Sequence, residues 1–171
     1  RGHPAAPTAG RHFSVSVIDG LIKAGHGVSE VTLHVGIGTF LPVKAQDIRE
    51  HIMHAERASV STEVATAISN AREDGRKIVA VGTTSARTLE AFTDLDGHTV
   101  ACDRNVNIFI YPGYHWKGVD VLFTNFHLPE STLLMMVSSF IGSRTKTLEL
   151  YELAKKSGYK FYSFGDSMFI H

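Results

Sequence analysis

A turn rich in hydroxyl groups precedes a predicted helix near the middle of the chain. Residues 82–87 read GTTSAR, so Thr83, Thr84 and Ser85 follow Gly82, and Arg87 comes within the first turns of the helix. Hydroxyls and free backbone N–H groups at the start of a helix are suited to holding a carboxylate or a phosphate. Ordinary capping of a helix by threonine or serine is the alternative. The pattern indicates an anion site.

Two glycines lie in a second candidate segment, residues 34–40, which reads HVGIGTF. Gly36 and Gly38, followed by Thr39, would let the backbone approach a ligand closely. The spacing lacks the third glycine of the dinucleotide fingerprint, which disfavours a nicotinamide cofactor. A tight turn after a strand explains the two glycines equally well.

Histidine is frequent, with ten in the chain, and His51, His54 and Glu56 lie close enough in sequence to suggest a metal site. Their separations differ from those of the HExxH helix motif, and a strand after Met53 would point alternate side chains to opposite faces. We therefore predict no metal here. Polar contacts or proton transfer by His54 and Glu56 is the functional interpretation, and solvated side chains are the alternative.

Two polar segments lie nearer the carboxyl terminus. Asn125 and His127 lie between a strand and an apolar helix, where sites of α/β proteins form. Asp166 follows Gly165 in a segment rich in aromatic residues, and a turn-capping role is as consistent with it as a functional one. We select Asn125, His127 and Asp166 as candidates.

Helices and strands alternate along the chain. Apolar residues at helical spacing predict helices over 14–23, 61–74, 83–92, 132–141 and 146–156, and short apolar or β-branched runs predict strands over 28–35, 77–81, 106–111 and 119–124, with another after Met53. This order predicts a single α/β domain over residues 1–171, with a mixed or largely parallel sheet and flanking helices. Ligands of such folds bind beyond the carboxyl ends of the strands.

Composition excludes several classes of protein. The chain is 43% apolar and 20% charged and has no apolar run long enough to cross a membrane. The first residues lack the apolar core of a secretory signal, and one cysteine can form no internal disulfide, so we expect a cytoplasmic protein. Seventeen basic and seventeen acidic side chains give zero formal charge, so any contact with RNA must use a local patch.

Six segments together carry a family resemblance. They read PTAGRHF at 7–13, VTLHVGIGTFLPV at 31–43, MHAE at 53–56, AVGTTSARTLE at 80–90, TNFHLPESTLL at 124–134 and YSFGDSM at 162–168. In this order they closely resemble the S-adenosylmethionine:tRNA ribosyltransferase-isomerases of queuosine biosynthesis. The resemblance runs over nearly the whole sequence and corresponds to the carboxyl-terminal part of the family.

The resemblance implies a reaction and its partners. The ribosyl moiety of S-adenosylmethionine would be transferred and isomerised onto the aminomethyl-deazaguanine wobble base of tRNA, giving epoxyqueuosine, adenine and methionine. Removal of a proton from the ribose carbon beside the sulfonium would begin the reaction, which requires a base. S-adenosylmethionine is then a co-substrate, and we expect no cofactor and no metal.

The resemblance also implies roles for individual residues. The proton-transfer residues would be His34, His54, Glu56 and His127. The substrate-binding residues would be His12, Gly36, Gly38, Thr39, Gly82, Thr83, Thr84, Ser85, Arg87, Asn125 and Asp166, with the hydroxyls of residues 83–85 and Arg87 holding an anionic part of a substrate.

Some positions depart from the family pattern. Arg11 stands where leucine is usual, Phe164 where tyrosine is usual, and Ser167 where alanine is usual. The family's small β-rich second domain is absent, so a missing amino-terminal half or a partner chain would complete the enzyme. The alternatives are a noncatalytic module that binds a nucleotide or RNA, and a histidine-based metal hydrolase.

Overall fold

The computed structural model describes residues 8–36, 47–51, 53–162 and 165–171. The candidates Gly38 and Thr39 lie outside these residues. The described helices are α1 Val15–Lys23, α2 Thr62–Glu73, α3 Thr83–Phe92, α4 Thr132–Ile141 and α5 Arg144–Lys156. The described strands are β1 Thr32–His34, β2 Glu56–Val60, β3 Val79–Val81, β4 Cys102–Val106, β5 Val121–Asn125 and β6 Ser167–Ile170.

Serine residues begin four of these helices. Each cap serine accepts a hydrogen bond from a backbone N–H of the first turn, which satisfies a donor that the helix itself leaves unpaired. The caps are Ser14, Ser61, Ser131 and Ser143. Helix α3 differs, because it begins at Gly82 without a side-chain cap. In the first turn of α3, therefore, no cap side chain accepts a backbone N–H, whereas a serine does so in each of the other four helices.

The strands form two small sheets, which confirms a mixed α/β fold. One sheet has the order β1-β2-β4 and is antiparallel throughout. The other has the order β3-β5-β6, with β3 and β5 parallel and β5 and β6 antiparallel. Only one strand pair is parallel, so a largely parallel sheet is not what the described residues form.

The predicted strand over 106–111 is wrong. The strand in this region is β4, which ends at Val106 and has four exposed residues before it. Its pairing with β2, from Glu56 opposite Val106 to Val60 opposite Cys102, joins segments far apart in sequence. Cross-strand pairing rather than an apolar pattern therefore defines β4.

Helix α3 joins the two sheets, since it contacts β3 and β5 of one and β1, β2 and β4 of the other. Three clusters of buried apolar side chains surround this arrangement. They centre on Leu89 and Leu122, on Val60 and Phe92, and on Phe126 and Val137. Helix α3 consequently lies between two of these cores, with Leu89 in one and Phe92 in the other.

Across the described ranges, every helix is too short or too polar to traverse a lipid bilayer.

Candidate functional site

A cavity of about 410 Å³ opens at the start of α3. Its lining comes from residues 8–10, 31–33, 81–85 and 124–128, together with Val35, Thr88, Ser131, Leu133 and Tyr162. These segments are distant in sequence and belong to five of the six motifs described above. Another depression, of about 490 Å³, lies along α5 alone and brings no separate segments together. The cavity at α3 is therefore the better candidate site.

Gly82 shapes the floor of this cavity. Its φ of 93° and ψ of 153° lie in a region that side chains disfavour, and its N–H donates to the Phe123 carbonyl at 2.8 Å. The chain thus turns sharply from β3 into α3. Within the described residues no acceptor meets the backbone N–H groups of Thr83, Thr84 or Ser85. These three donors, at the positive end of the helix, face an open cavity.

The three hydroxyls in this turn are not equivalent. The Ser85 hydroxyl donates to the Val81 carbonyl at 2.9 Å, an internal bond of the turn. The hydroxyls of Thr83 and Thr84 make no hydrogen bond within the described part of the chain, although the Thr84 carbonyl accepts from Thr88 Oγ1 at 3.0 Å. Thr83 and Thr84 are therefore better placed than Ser85 to bind a ligand through their hydroxyls.

Arg87 is turned away from the cavity and pairs with Glu56. Arg87 Nη1 lies 2.6 Å from Glu56 Oε2, and both side chains are almost fully buried. Glu56 Oε1 accepts the Gly36 backbone N–H at 2.8 Å. Neither Arg87 nor Glu56 lines the cavity. The anion-binding role expected of Arg87 and the proton-transfer role expected of Glu56 thus receive no support from the geometry.

Asn125, at the end of β5, holds a buried amide in the cavity wall. Its Nδ2 lies 3.2 Å from His12 Nε2, 3.4 Å from the Tyr162 carbonyl, and 3.2 Å from the carbonyls of Gly165 and Asp166. These acceptors fix the orientation of the amide, because only its NH₂ group can donate to them. Asn125 Oδ1 is buried and has no hydrogen-bond partner.

The loop beside Asn125 is tightly closed. A Cβ on Gly165 would overlap the Lys160 carbonyl, so glycine is required there. The Asp166 carboxylate accepts the Lys160 N–H at 2.7 Å, which gives Asp166 a turn-closing geometry, and it lies outside the cavity lining. This loop supports the Asn125 amide from behind.

His127 is held neutral in the cavity wall. Its Nε2 lies 2.9 Å from Thr124 Oγ1, and its backbone N–H donates to the Tyr151 hydroxyl at 3.2 Å. Burial lowers the pKa of His127 to about 4. Burial also raises the pKa of Tyr151 to about 12, partly offset by the hydrogen bond from His127. At neutral pH both groups are therefore uncharged.

The remaining histidine candidates lie elsewhere. His34 is exposed on β1, opposite Arg57 of β2, and His54 is exposed just before β2. Neither lines the cavity. Of the residues expected in the site, those that line the cavity are Gly82, Thr83, Thr84, Ser85, Asn125 and His127. His12 does not line the cavity, but its Nε2 contacts the Asn125 amide.

Several lining residues escaped prediction. Thr8, Thr124 and Tyr162 all lie within the matched motifs, so their position in a motif was the available signal. Tyr162 has a positive φ of 69°, which is unusual for a residue other than glycine. Phe126 escaped because an aromatic residue beside a buried strand is typical of a core.

In the described part of the chain, the one group of side chains that could jointly ligate a metal is Asp94, Asp96 and His98. All three are exposed, and the group lies apart from the cavity lining. His51 and His54 do not assemble with Glu56 into such a group, since Glu56 is paired with Arg87.

Comparison with known proteins assigns this architecture to a family. A family model described as "Queuosine biosynthesis protein" matches residues 1–170. The chain belongs to the queuosine biosynthesis protein family. Two relatives in the family, from Moorella thermoacetica and Clostridium kluyveri, are named S-adenosylmethionine:tRNA ribosyltransferase-isomerase and are 52% and 51% identical over 99% of this chain.

A solved structure supports the same assignment. The crystal structure of S-adenosylmethionine tRNA ribosyltransferase from Thermotoga maritima is 40% identical, has a TM-score of 0.75 and is matched over 95% of this chain and 51% of that one. The chain covers 49% of each of the two relatives. It therefore spans about half the length of the queuosine biosynthesis proteins that it matches.

Proposed function

We propose that this chain forms the S-adenosylmethionine-binding part of a cytoplasmic tRNA ribosyltransferase-isomerase. The assembled enzyme moves the ribosyl moiety of S-adenosylmethionine onto the aminomethyl-deazaguanine wobble base of tRNA, giving epoxyqueuosine, adenine and methionine. The observation that supports this is the cavity at α3, where five of the six family motifs meet. The names of the relatives support the reaction class.

His127 is the proposed base for the first step. The sulfonium acidifies the neighbouring ribose C–H, and a neutral imidazole can accept that proton while adenine leaves. Thr124 Oγ1 lies 2.9 Å from Nε2, so a proton on Nε2 donated to Thr124 leaves Nδ1 as the acceptor. Nδ1 makes no hydrogen bond with the described residues, so it is available to a substrate.

The rest of the reaction needs surfaces outside this cavity. None of the described lining residues is lysine or arginine, so we expect the tRNA backbone to be bound outside this cavity. His34 and His54 are exposed and would approach a substrate only in the assembled enzyme. Their catalytic roles stay predictions.

Adenine release tests the proposal. We would combine this chain with the amino-terminal portion of the Moorella thermoacetica relative, add S-adenosylmethionine and tRNA carrying the aminomethyl-deazaguanine, and measure adenine by chromatography. We expect adenine only when the tRNA is present. Bound tRNA without adenine would reject the transferase in favour of a noncatalytic binding module.

A matched pair of histidine variants tests the base. We expect His127→Gln to lower the rate about 100-fold or more, as loss of a general base does. His98→Gln changes an exposed histidine far from the cavity lining and should leave the rate unchanged. Circular dichroism of both variants checks the fold. A His127→Gln enzyme as active as His98→Gln would remove His127 from the mechanism.

A further inference from the structure

Helix α1 differs from the other described helices in having no buried residue. Each of the other four helices buries at least two side chains, whereas every residue of α1 is at least partly exposed. Five of the nine residues of α1 are nevertheless apolar. A short helix of this composition is typically covered by a partner on its apolar side. The apolar residues of α1 are Val15, Val17, Ile18, Leu21 and Ile22.

These five residues form one continuous face, which we call the apolar face of α1. At about 3.6 residues per turn they fall within about half of the helix circumference, and the polar residues occupy the other half together with Gly20. The face is open, since Val15 is 76% exposed and Ile22 is 54% exposed. No helix or strand of the described ranges packs extensively against α1. The face therefore has no large packing partner in the part of the chain that the structure describes.

The length of α1 makes such an open face unfavourable. Nine residues are fewer than the roughly 12–15 that make an isolated helix even marginally stable in water. Ser14 caps the first turn and Lys23 lies at the negative end of the helix, but each of these contributions is local and small. Most helical stability in proteins comes from packing of an apolar face. We therefore expect α1 to be fully stable only when another surface covers its apolar face.

A second copy of the chain is the less suitable partner. A helix of nine residues is about 14 Å long, so its face is much smaller than the area of about 800 Å² that each partner buries in a stable dimer. The family provides a partner that does not need such a large area. Because the chain covers 49% of the Moorella thermoacetica relative, the other half of that protein belongs to the same polypeptide. That half would meet the face at a high effective concentration.

The position of α1 in the chain would place this partner beside the cavity. A short 3-10 helix, Ala9–His12, ends shortly before α1 begins, and its Ala9 and Gly10 line the cavity. Phe13, between the two helices, packs edge-on against Phe123 of β5, with the ring centroids 5.1 Å apart. A partner on α1 would therefore lie near this part of the lining.

We infer that the apolar face of α1 is the docking surface for the half of the family's polypeptide that this chain does not span. The surface that docks there is itself apolar, and its contact with α1 holds that half next to the cavity. The length of the relatives and the exposure of α1 support this assignment, which does not depend on the reaction proposed above.

Hydrogen exchange tests the docking. We would compare the 171-residue chain with the same chain joined in one polypeptide to the amino-terminal portion of the Moorella thermoacetica relative. We expect the backbone amides of residues 18–23 to exchange about tenfold or more slowly in the joined protein, because a covered helix opens less often. Equal exchange of these amides in the two proteins would overturn the inference. Protection in the 171-residue chain alone that rises with its concentration would also overturn it, since a second copy would then be the partner.

A pair of charged substitutions tests the face itself. Val15→Asp with Ile22→Lys puts an acidic residue in the first turn of α1 and a basic residue in its last turn, which suits the helix dipole while removing two apolar contacts. In the joined protein we expect this double variant to exchange residues 18–23 about as fast as the 171-residue chain does. Leu95→Lys is the matched control, since Leu95 is 90% exposed and lies outside α1, and it should keep the protection. Equal protection in the two variants would contradict the docking surface.

The 171-residue chain alone gives a second measurement. Because the face is exposed there, the double variant should unfold at the same urea midpoint as the unaltered chain and should bind less of a dye that reports exposed apolar surface. A lower midpoint would show that this chain already covers the face, which would overturn the inference. Adenine release by the joined protein without protection of α1 would reject the docking surface and leave the proposed function standing. Protection without adenine release would do the reverse.

Discussion

The two sides of α3 use polar groups in opposite ways. Its start faces the cavity with uncharged donors, while its inner face carries Arg87 and Glu90, which are both almost completely buried. Arg87 pairs with Glu56, the first residue of β2. Glu90 accepts hydrogen bonds from the Tyr114 hydroxyl at 3.0 Å and from the Gly118 N–H at 2.7 Å.

The buried charges of α3 and the uncharged groups at its start therefore have different roles. The buried charges tie α3 to β2 through the ion pair of Arg87 with Glu56, and to the loop 114–118 through the hydrogen bonds that Glu90 accepts. Burial and then the neighbouring Glu90 charge raise the pKa of Tyr114, so that hydroxyl stays protonated as a donor. The uncharged end keeps unpaired donors and one unpaired acceptor. Charge in this part of the fold positions the helix, and neutral groups line the cavity.

Loss of the buried cation should have the largest effect. Arg87→Ala would leave the Glu56 carboxylate buried without its ion-pair partner, and we expect the free energy of unfolding to fall by about 3–5 kcal/mol. Urea denaturation measures this. Arg57→Ala is the control, because the Arg57–Asp103 pair is exposed to solvent and its loss should change the free energy of unfolding far less.

A compensating double variant sharpens this prediction. Replacing Glu56 and Arg87 together, as Glu56→Leu with Arg87→Met, removes both buried charges and should recover part of the loss. An Arg87→Ala variant no less stable than Arg57→Ala would show that the buried pair does not hold α3 in place.

His127 should make stability depend on pH. The native state keeps His127 neutral down to a pKa of about 4, whereas the unfolded chain takes up this proton near 6.5. Between these values the unfolded state binds more protons, so stability falls as pH falls, by about 3 kcal/mol in total. Denaturation at a series of pH values should show this slope in the unaltered chain and in His98→Gln. A His127→Gln chain with the same slope would contradict it.

Local sequence signals predicted the helices well. Helix α4 spans Thr132–Ile141 and α2 spans Thr62–Glu73, in agreement with the ranges 132–141 and 61–74 that the helical spacing of apolar residues predicted. These features depend on residues three or four apart, which a sequence displays directly. Strand β4 could not be read in this way, because four of its five residues are exposed and only its pairing with β2 defines it.

Part of the candidate site was also predictable from local sequence. Thr84 and His127 each follow a strand, and the parallel pairing of β3 and β5 brings those strand ends together. Arg87 was assigned to the anion site because it is near Thr84 in sequence. Its buried partner, Glu56, is 31 positions away along the chain, and no periodic pattern connects them.

The turn at Gly82 should have an intermediate effect. Gly82→Ala would force a non-glycine residue to a φ of 93° and a ψ of 153°, which costs about 1–3 kcal/mol, while the new Cβ would meet only ordinary contacts at 3.6 and 3.7 Å. We expect reduced stability and weaker methionine binding, because the first-turn N–H groups would shift. Gly27→Ala is the control, since its Cβ meets nothing within 4 Å. If Gly82→Ala and Gly27→Ala had equal stability and equal affinity for methionine, the conformation of this turn would not determine binding in the cavity.

The smallest effect is expected within the hydroxyl cluster itself. Ser85→Ala removes an internal bond to the Val81 carbonyl, so stability should fall by about 1 kcal/mol and methionine affinity should change by less than about twofold. Thr84→Val keeps the shape but removes a hydroxyl that has no partner in the described residues, and it should weaken binding about threefold or more. Titration of both variants checks the order. A larger loss of affinity in Ser85→Ala than in Thr84→Val would mean that the Ser85 hydroxyl contacts the ligand instead of the Val81 carbonyl. The hydroxyls that support the fold and those that bind the ligand would then not be separate groups on α3.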